Sequence, residues 1–231
     1  MLKKWEELPE TMRCEEVRPY YDILAKKQMS LALKRIIDIL IALFLLLILG
    51  IPMVIVSVLI KLDSEGPVFF RQERITSYGR KFRIHKFRTM VNTAEQLGTS
   101  VTVSNDSRVT KIGNVLRKYR IDEFPQLFDV LAGTMSFVGT RPESPKYVKQ
   151  YTDEMKATLL LPAGITSEAC IRYKDEAELI DGAEDVDKVY IEKVLPGKMK
   201  WNLWSIREFS LTGEILTMFR TVFAVCGKEY V

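Results

Sequence analysis

Asp122 and Glu123 stand side by side in the stretch RIDEFP, and cations flank them along the chain. Lys86 and Arg88 lie in HKFRTM, Arg117, Lys118 and Arg120 just upstream, and Arg141 beyond Gly139. His85 is the single histidine, which removes HExxH and His-ligated zinc chemistry and any Ser-His-Asp or Cys-His arrangement not built on it. Nucleophilic or acid–base work therefore falls to carboxylates, and the basic residues form a candidate pocket for the charged oxygens of a pyrophosphate. The plainer reading stays open beside it. Acidic residues at a predicted helix start are common caps for free N–H groups, and most lysines and arginines are solvated surface.

Cys14, Cys170 and Cys226 are scattered and odd in number, without a CxxC pair, so neither a disulfide framework nor a thiolate metal site is expected, and a reducing compartment fits. A glycine-rich dinucleotide fingerprint and a Walker loop are absent. The net charge of +4 is too mild to argue for nucleic acid.

The elements that must position these groups begin with a membrane segment. From Ile39 to Ile60 no residue is charged, and Pro52 sits inside the run. A helix-interior proline costs about 3 kcal/mol and frees a carbonyl that lipid cannot solvate, so a break is expected near Gly50-Ile51-Pro52. The arms on either side would reach about 16 Å and about 12 Å, each near half of a ~30 Å hydrocarbon core. Basic residues flank both ends, Lys26, Lys27, Lys34 and Arg35 before and Lys61, Arg71 and Arg74 after, which favours a hairpin that enters and leaves by one face. A straight, tilted span of the same residues is the alternative. Asp38 at the entrance is expected to pair with Lys34 or Arg35.

The organisation expected is a polar lead over residues 1–30 with short helices, a re-entrant membrane hairpin over 31–62, and one domain over 63–231. VFFRQER and KFRIHKF alternate as two strands joined through Thr76-Ser77-Tyr78-Gly79. A helical turn over 91–97 and helices over KIGNVLRKY and IDEFPQLFDVLAG follow from apolar spacing. Gly133 and Gly139 bracket an expected loop before a helix that runs from about Arg141-Pro142 to Leu160. Trp201, Trp204, Phe209, Phe219 and Phe223, interleaved with basic residues, lie either along the bilayer interface or on the domain's own core.

The run KRIIDILIALFLLLILGIPMVIVSVLIKLDSEGPVFFRQERI, then GRKFRIHKFRTM, then DSRVTKIGNVLRKYRIDEFPQLFDVLAGTMSFVGTRPE resembles the bacterial sugar transferases called monotopic phosphoglycosyl transferases, over about residues 31–175. The resemblance implies a mostly helical α/β fold, a small cytoplasmic domain with a short β-hairpin and interfacial helices. A re-entrant helix broken at Pro52 would anchor it in the inner membrane, on its cytoplasmic face. It implies transfer of a phosphosugar from a UDP-sugar to polyprenol phosphate, with Mg²⁺, giving a polyprenyl-diphosphate sugar and UMP. Carried onto this chain, it makes Asp122 the nucleophile and Glu123 its partner in catalysis or metal binding. Lys86, Arg117 and Arg141 become phosphate-binding residues, with Arg88 a further candidate for the pocket. A non-catalytic, membrane-attached phosphate- or lipid-binding module is the alternative.

The chain departs from the family pattern in places. Ile51 precedes Pro52 where many members have serine, and Thr134 and Thr140 alter the KGDMS and GPRP stretches. The PGITG turn reads Pro162-Ala163-Gly164-Ile165-Thr166-Ser167, in a region tied to substrate choice. Arg172, Tyr173 and Lys174 follow it, either touching the nucleotide or sugar or lying on the surface.

Overall fold

The computed structural model describes residues 2–92, 106–173 and 185–225. Lys174, Cys226 and most of the expected turn over 91–97 lie outside the described residues.

Two 3₁₀ turns and helix α1 (Arg18–Ala25) open the chain. The lead is polar on average, yet Leu8, Met12, Val17, Tyr20 and Leu24 are spaced so that one side of it is apolar. They are buried with Tyr147, Leu160, Tyr190, Leu195, Met199 and Ile206 from the far end of the sequence. The lead is thus part of the main core, where burial of apolar side chains stabilises it.

Helix α2 (Gln28–Asp63) is 36 residues long and continues through Pro52. The expected interruption at Gly50-Ile51-Pro52 is therefore absent from the secondary structure. Proline removes one backbone donor, leaving the Ile48 carbonyl without its usual partner, but it permits a bend in place of an end. Side chains on both sides of Pro52 hold the helix to the domain. Leu31, Lys34, Asp38, Ala42, Met53 and Ile60 are buried, with Leu46 and Leu49 packed between them. These positions recur at steps of three, four or seven residues, so they share one face. The remaining faces expose Leu40, Leu43, Phe44, Leu47, Ile48, Ile51, Val54, Ile55, Val58 and Leu62. As expected, Asp38 pairs with Lys34, Oδ2 to Nζ 3.7 Å, and it also accepts from Ser136 Oγ at 2.7 Å.

Strands β1 (Phe69–Ile75) and β2 (Lys81–Phe87) pair antiparallel with Phe70 opposite Lys86, as their alternation predicts. Their turn uses left-handed backbone at Tyr78, φ 61°, and Gly79, φ 72°. Helix α3 (Lys111–Lys118) starts at Thr110, whose Oγ1 accepts from Gly113 N–H. Helix α4 (Gln126–Ala132) ends at Gly133 in the left-handed region. There Arg35 of α2 donates to the carbonyls of Val130 and Leu131 at 2.6 and 2.9 Å, a cation on the negative end of a helix.

The segment expected as a loop between Gly133 and Gly139 is instead strand β3 (Met135–Val138), parallel to β4 (Ala163–Thr166). Four-residue strands carry too few alternations to be legible by period. The helix expected through Leu160 is also corrected: only α5 (Pro145–Val148) and a 3₁₀ stretch over Glu154–Leu160 form. Helices α6 (Glu168–Arg172), α7 (Val186–Val189), α8 (Leu195–Arg207) and α9 (Leu211–Val225) complete a mostly helical α/β fold, with two two-stranded sheets among the described residues. Phe209 is buried in the main core, whereas Trp204, Phe219 and Phe223 are exposed.

Candidate active site

The pattern Ile-Asp-Glu-Phe explains how two carboxylates come to sit together between apolar anchors. Ile121 and Phe124 pack against the cluster of Met53, Ile60, Phe87 and Leu116 beneath α2. With its two apolar ends anchored, the 3₁₀ turn Ile121–Glu123 presents Asp122 and Glu123 between them. The turn is not the start of α4, which begins at Gln126. Arg120 enters it with left-handed backbone, φ 56°, a conformation that costs a side-chain-bearing residue about 1 kcal/mol or more.

Three cations converge on Glu123. Arg141 donates through both terminal nitrogens, Nη2 to Oε1 at 2.7 Å and Nη1 to Oε2 at 3.3 Å. Lys86 Nζ lies 3.2 Å and Arg120 Nη1 3.7 Å from Oε1. Burial alone would raise the Glu123 pKa, but Arg141, Lys86 and Arg120 outweigh it and hold the carboxyl well below the usual range. Burial pushes Lys86 down against the opposing pull of Glu123, while Glu123 drives Arg141 well above an ordinary arginine. Glu123 is thus a fixed anion.

Asp122 is different. It is 8% exposed, and its Oδ1 is buried without a hydrogen-bond partner. Burial raises its pKa, with Lys86, Arg120 and Arg117 opposing and Glu123 adding to the rise. A desolvated carboxylate with an open oxygen is a stronger nucleophile than a hydrated one. Two adjacent carboxylates are therefore set to two behaviours by their surroundings.

The supporting parts are equally specific. His85 lies next to Lys86 on β2, and Asp129 of α4 accepts its backbone N–H at 2.8 Å and its ring Nδ1 at 2.8 Å. That clamp fixes the strand carrying Lys86. Arg117 Nε donates to Thr89 Oγ1 at 2.8 Å, which keeps its charge near Asp122. Arg141 follows a backbone crossing in which Gly139 N–H donates to Thr166 O at 3.0 Å and Gly164 N–H to Thr140 O at 2.8 Å.

The structure brings together Asp122, Glu123, Lys86 and Arg141, with Arg117 close by. Arg88 lies elsewhere: it is 5% exposed and donates to the carbonyls of Ser64 and Glu65 at 2.6 and 2.5 Å, capping the end of α2. Arg172 stacks on Trp201, 3.7 Å to the ring centroid, and pairs with Glu168 at 3.5 Å. Tyr173 packs on the main core. The sequence reading missed Asp129 and Glu143. Glu143 accepts from Tyr190 OH at 2.6 Å and pairs with Lys198 at 3.4 Å beneath the arginine loop. A glutamate two residues beyond Arg141 was the available signal.

Among the described residues no group of three or more His, Cys, Asp or Glu is gathered as a metal site. The residues nevertheless fit a hard cation, because Mg²⁺ commonly takes only one or two protein carboxylates. Asp122 Oδ1 is a buried oxygen without a hydrogen-bond partner, whereas both Glu123 oxygens are engaged by Arg141.

Comparison with known proteins finds related chains. A UDP-N-acetylgalactosamine-undecaprenyl-phosphate N-acetylgalactosaminephosphotransferase of Aeromonas hydrophila is 38% identical over 194 residues, 82% of this chain and 43% of that protein. A putative undecaprenyl-phosphate N-acetylgalactosaminyl 1-phosphate transferase of Bacillus subtilis is 40% identical over 160 residues, 68% of this chain and 87% of that protein. A UDP-glucose:undecaprenyl-phosphate glucose-1-phosphate transferase of Escherichia coli is 33% identical over 218 residues, 93% of this chain. The chain spans 43% and 44% of the Aeromonas and Escherichia proteins, and most of the Bacillus one. The bacterial sugar transferase family matches residues 29–228, a stretch that holds all of α2 but its first residue, the carboxylate turn and every cation around it. With that match over most of its length, the chain belongs to the bacterial sugar transferase family.

Proposed function

We propose that the protein transfers a sugar 1-phosphate from a UDP-sugar to undecaprenyl phosphate by double displacement at Asp122. An Asp122 carboxylate oxygen attacks the sugar-bearing β-phosphorus, the bond to the bridging oxygen breaks, and UMP leaves with that electron pair. A phosphate oxygen of the polyprenol phosphate then attacks the same phosphorus, breaks the aspartyl–phosphorus bond and restores Asp122. The product is a polyprenyl-diphosphate sugar.

The observation that carries this reading is the division of labour between the carboxylates. Glu123 holds Lys86 and Arg141 in place as a permanent counter-ion, and Asp122 keeps an unpartnered oxygen. Arg141, Lys86 and Arg117 orient the diphosphate and stabilise charge on its oxygens as the leaving group departs. Asp122 would be the residue to hold a Mg²⁺, which would supply further neutralisation of the diphosphate charge.

We place the protein on the cytoplasmic leaflet as a monotopic enzyme with a re-entrant α2. A helix of 36 residues is about 54 Å long, far more than one crossing needs, and the domain accompanies it from Leu31 to Ile60. Such a domain cannot follow the helix through a bilayer, so the apolar faces of α2 are best served by one leaflet. The exposed aromatic face of α9 extends the same contact. This arrangement puts the carboxylate turn near the headgroups, where a polyprenol phosphate presents its phosphate.

The test is UMP release by the purified chain in vesicles with Mg²⁺, undecaprenyl phosphate and a panel of UDP-sugars. Acceptor-dependent release with at least one sugar is expected. Binding of donor and lipid without release from any sugar would favour the non-catalytic module.

A further inference from the structure

Helix α9 has two chemically distinct sides. Ile215, Leu216, Phe219 and Val222 are exposed, at the spacing of an apolar stripe. The other side, at positions 214, 217, 220 and 221, is bonded to the domain. Glu214 pairs with Lys34 of α2 at 2.5 Å, and Thr217 is buried. Arg220 donates to Glu168, and the hydroxyls of Thr221 and Thr166 lie 2.7 Å apart. The Glu214–Lys34 pair ties α9 to α2, whose own exposed side chains are apolar.

The residues that α9 holds are joined to the loop that carries Arg141. Thr166 ends β4, and its carbonyl accepts Gly139 N–H, two residues before Arg141. Gly164 N–H holds Thr140 O, one residue before Arg141. This crossing has no slack: a Cβ on Gly164 would come within 2.2 Å of the Gly139 backbone. Glu168 is 5% exposed and depends on Arg220 and Arg172 for charge compensation. Removing Arg220 leaves a buried carboxylate with one cation at 3.5 Å, an arrangement that drives local rearrangement.

We propose that α9 is a bilayer-dependent positioning element for Arg141. Lipid contact on the apolar stripe seats the helix, and Arg220 and Thr221 transmit that seat through Glu168 and Thr166 to the arginine loop. Arg220 and Thr221 touch no substrate and are positioning residues. The consequence for catalysis rests on the role assigned to Arg141 in the proposed function, but the mechanical link does not.

Hydrogen exchange with mass spectrometry therefore comes first, on the full chain in phosphatidylcholine vesicles containing one quarter phosphatidylglycerol. Three proteins are compared: wild type, Arg220→Gln, and Leu216→Ser/Phe219→Ser, which alters only the lipid side. Both variants stay on the vesicles through α2, and exchange in peptides covering 139–142 and 163–168 rises about tenfold, with the α8 core unchanged. In turnover, kcat and kcat/KM both fall about tenfold, and Arg220→Lys recovers most of the loss. Unchanged exchange over 139–142 in either variant overturns the proposal, as does a rise spread evenly over the whole domain. If the wild type releases no UMP with any donor, the proposed function fails and the exchange result still decides the link.

Discussion

Arg141 grips Glu123 with two N–H···O contacts, 2.7 and 3.3 Å, and the neighbouring Asp122 keeps a buried oxygen that accepts no hydrogen bond. Adjacent residues of one turn thus have opposite electrostatic fates, because the cations converge on one and burial dominates the other.

Asp122→Asn is expected to abolish turnover without loss of stability. Burial raises the folded-state pKa of Asp122. A raised carboxyl contributes stability that is full below its unfolded pKa and lost as pH rises through its folded one. Ionised Asp122 therefore destabilises the fold at neutral pH, and the Asn variant melts at or above the wild-type Tm at pH 7. That advantage fades as pH falls toward about 4, the unfolded value. For the same reason wild-type kcat/KM falls with acid at a pH above that of an ordinary aspartate. Thermal scans and rate profiles across pH check both.

Glu123→Gln should behave in the opposite way. It leaves Arg141 and Lys86 facing each other without their counter-ion, at a cost on the order of 3 kcal/mol. The depressed pKa means that this stability is present above the unfolded value and lost only at strongly acidic pH. Denaturant unfolding of the variant at pH 7 against wild type measures the difference, and a variant as stable as wild type would remove Glu123 as the organising anion.

Arg88 separates helix capping from substrate binding. Its guanidinium satisfies carbonyls at the end of α2, so Arg88→Ala is expected to lose about 2–4 kcal/mol of stability while the KM for the donor stays unchanged in the folded fraction. A raised KM at unchanged stability would return Arg88 to the pocket.

Much of the hairpin and the site was legible in the sequence, for identifiable reasons. Seven-residue strands with clear alternation, an uncharged run of 22 residues and a dense local cluster of charge all leave local signatures. What was not legible depends on partners far along the chain. Arg88 reads like Lys86 until the end of α2 is seen above it, and Asp129 reads as a helix-surface residue until His85 is seen against it. The β3–β4 pair was hidden because four residues hold too little periodicity, and because a parallel partner 28 residues away gives no hairpin turn. Pro52 was expected to end a helix, but packing on both sides of it carries the helix through.

The Gly139–Gly164 crossing makes a prediction at a distance from the chemistry. Gly164→Ala places a Cβ 2.2 Å from the Gly139 backbone, so the strands must separate and Arg141 must shift. Overpacking of this kind costs about 1–3 kcal/mol, and a misplaced orienting group can cost about a hundredfold in rate. Steady-state kinetics on folded Gly164→Ala should show that loss, and wild-type kcat/KM would remove the crossing as the support of Arg141.

The most direct test is intact-protein and peptide mass spectrometry of enzyme quenched within its first turnover, with a UDP-sugar that supports UMP release and no acceptor present. One phosphosugar is expected on the peptide containing Ile121–Phe124, formed with one equivalent of UMP and discharged when undecaprenyl phosphate is added. Turnover that proceeds with acceptor while the acceptor-free enzyme stays unmodified and releases no UMP would contradict the account.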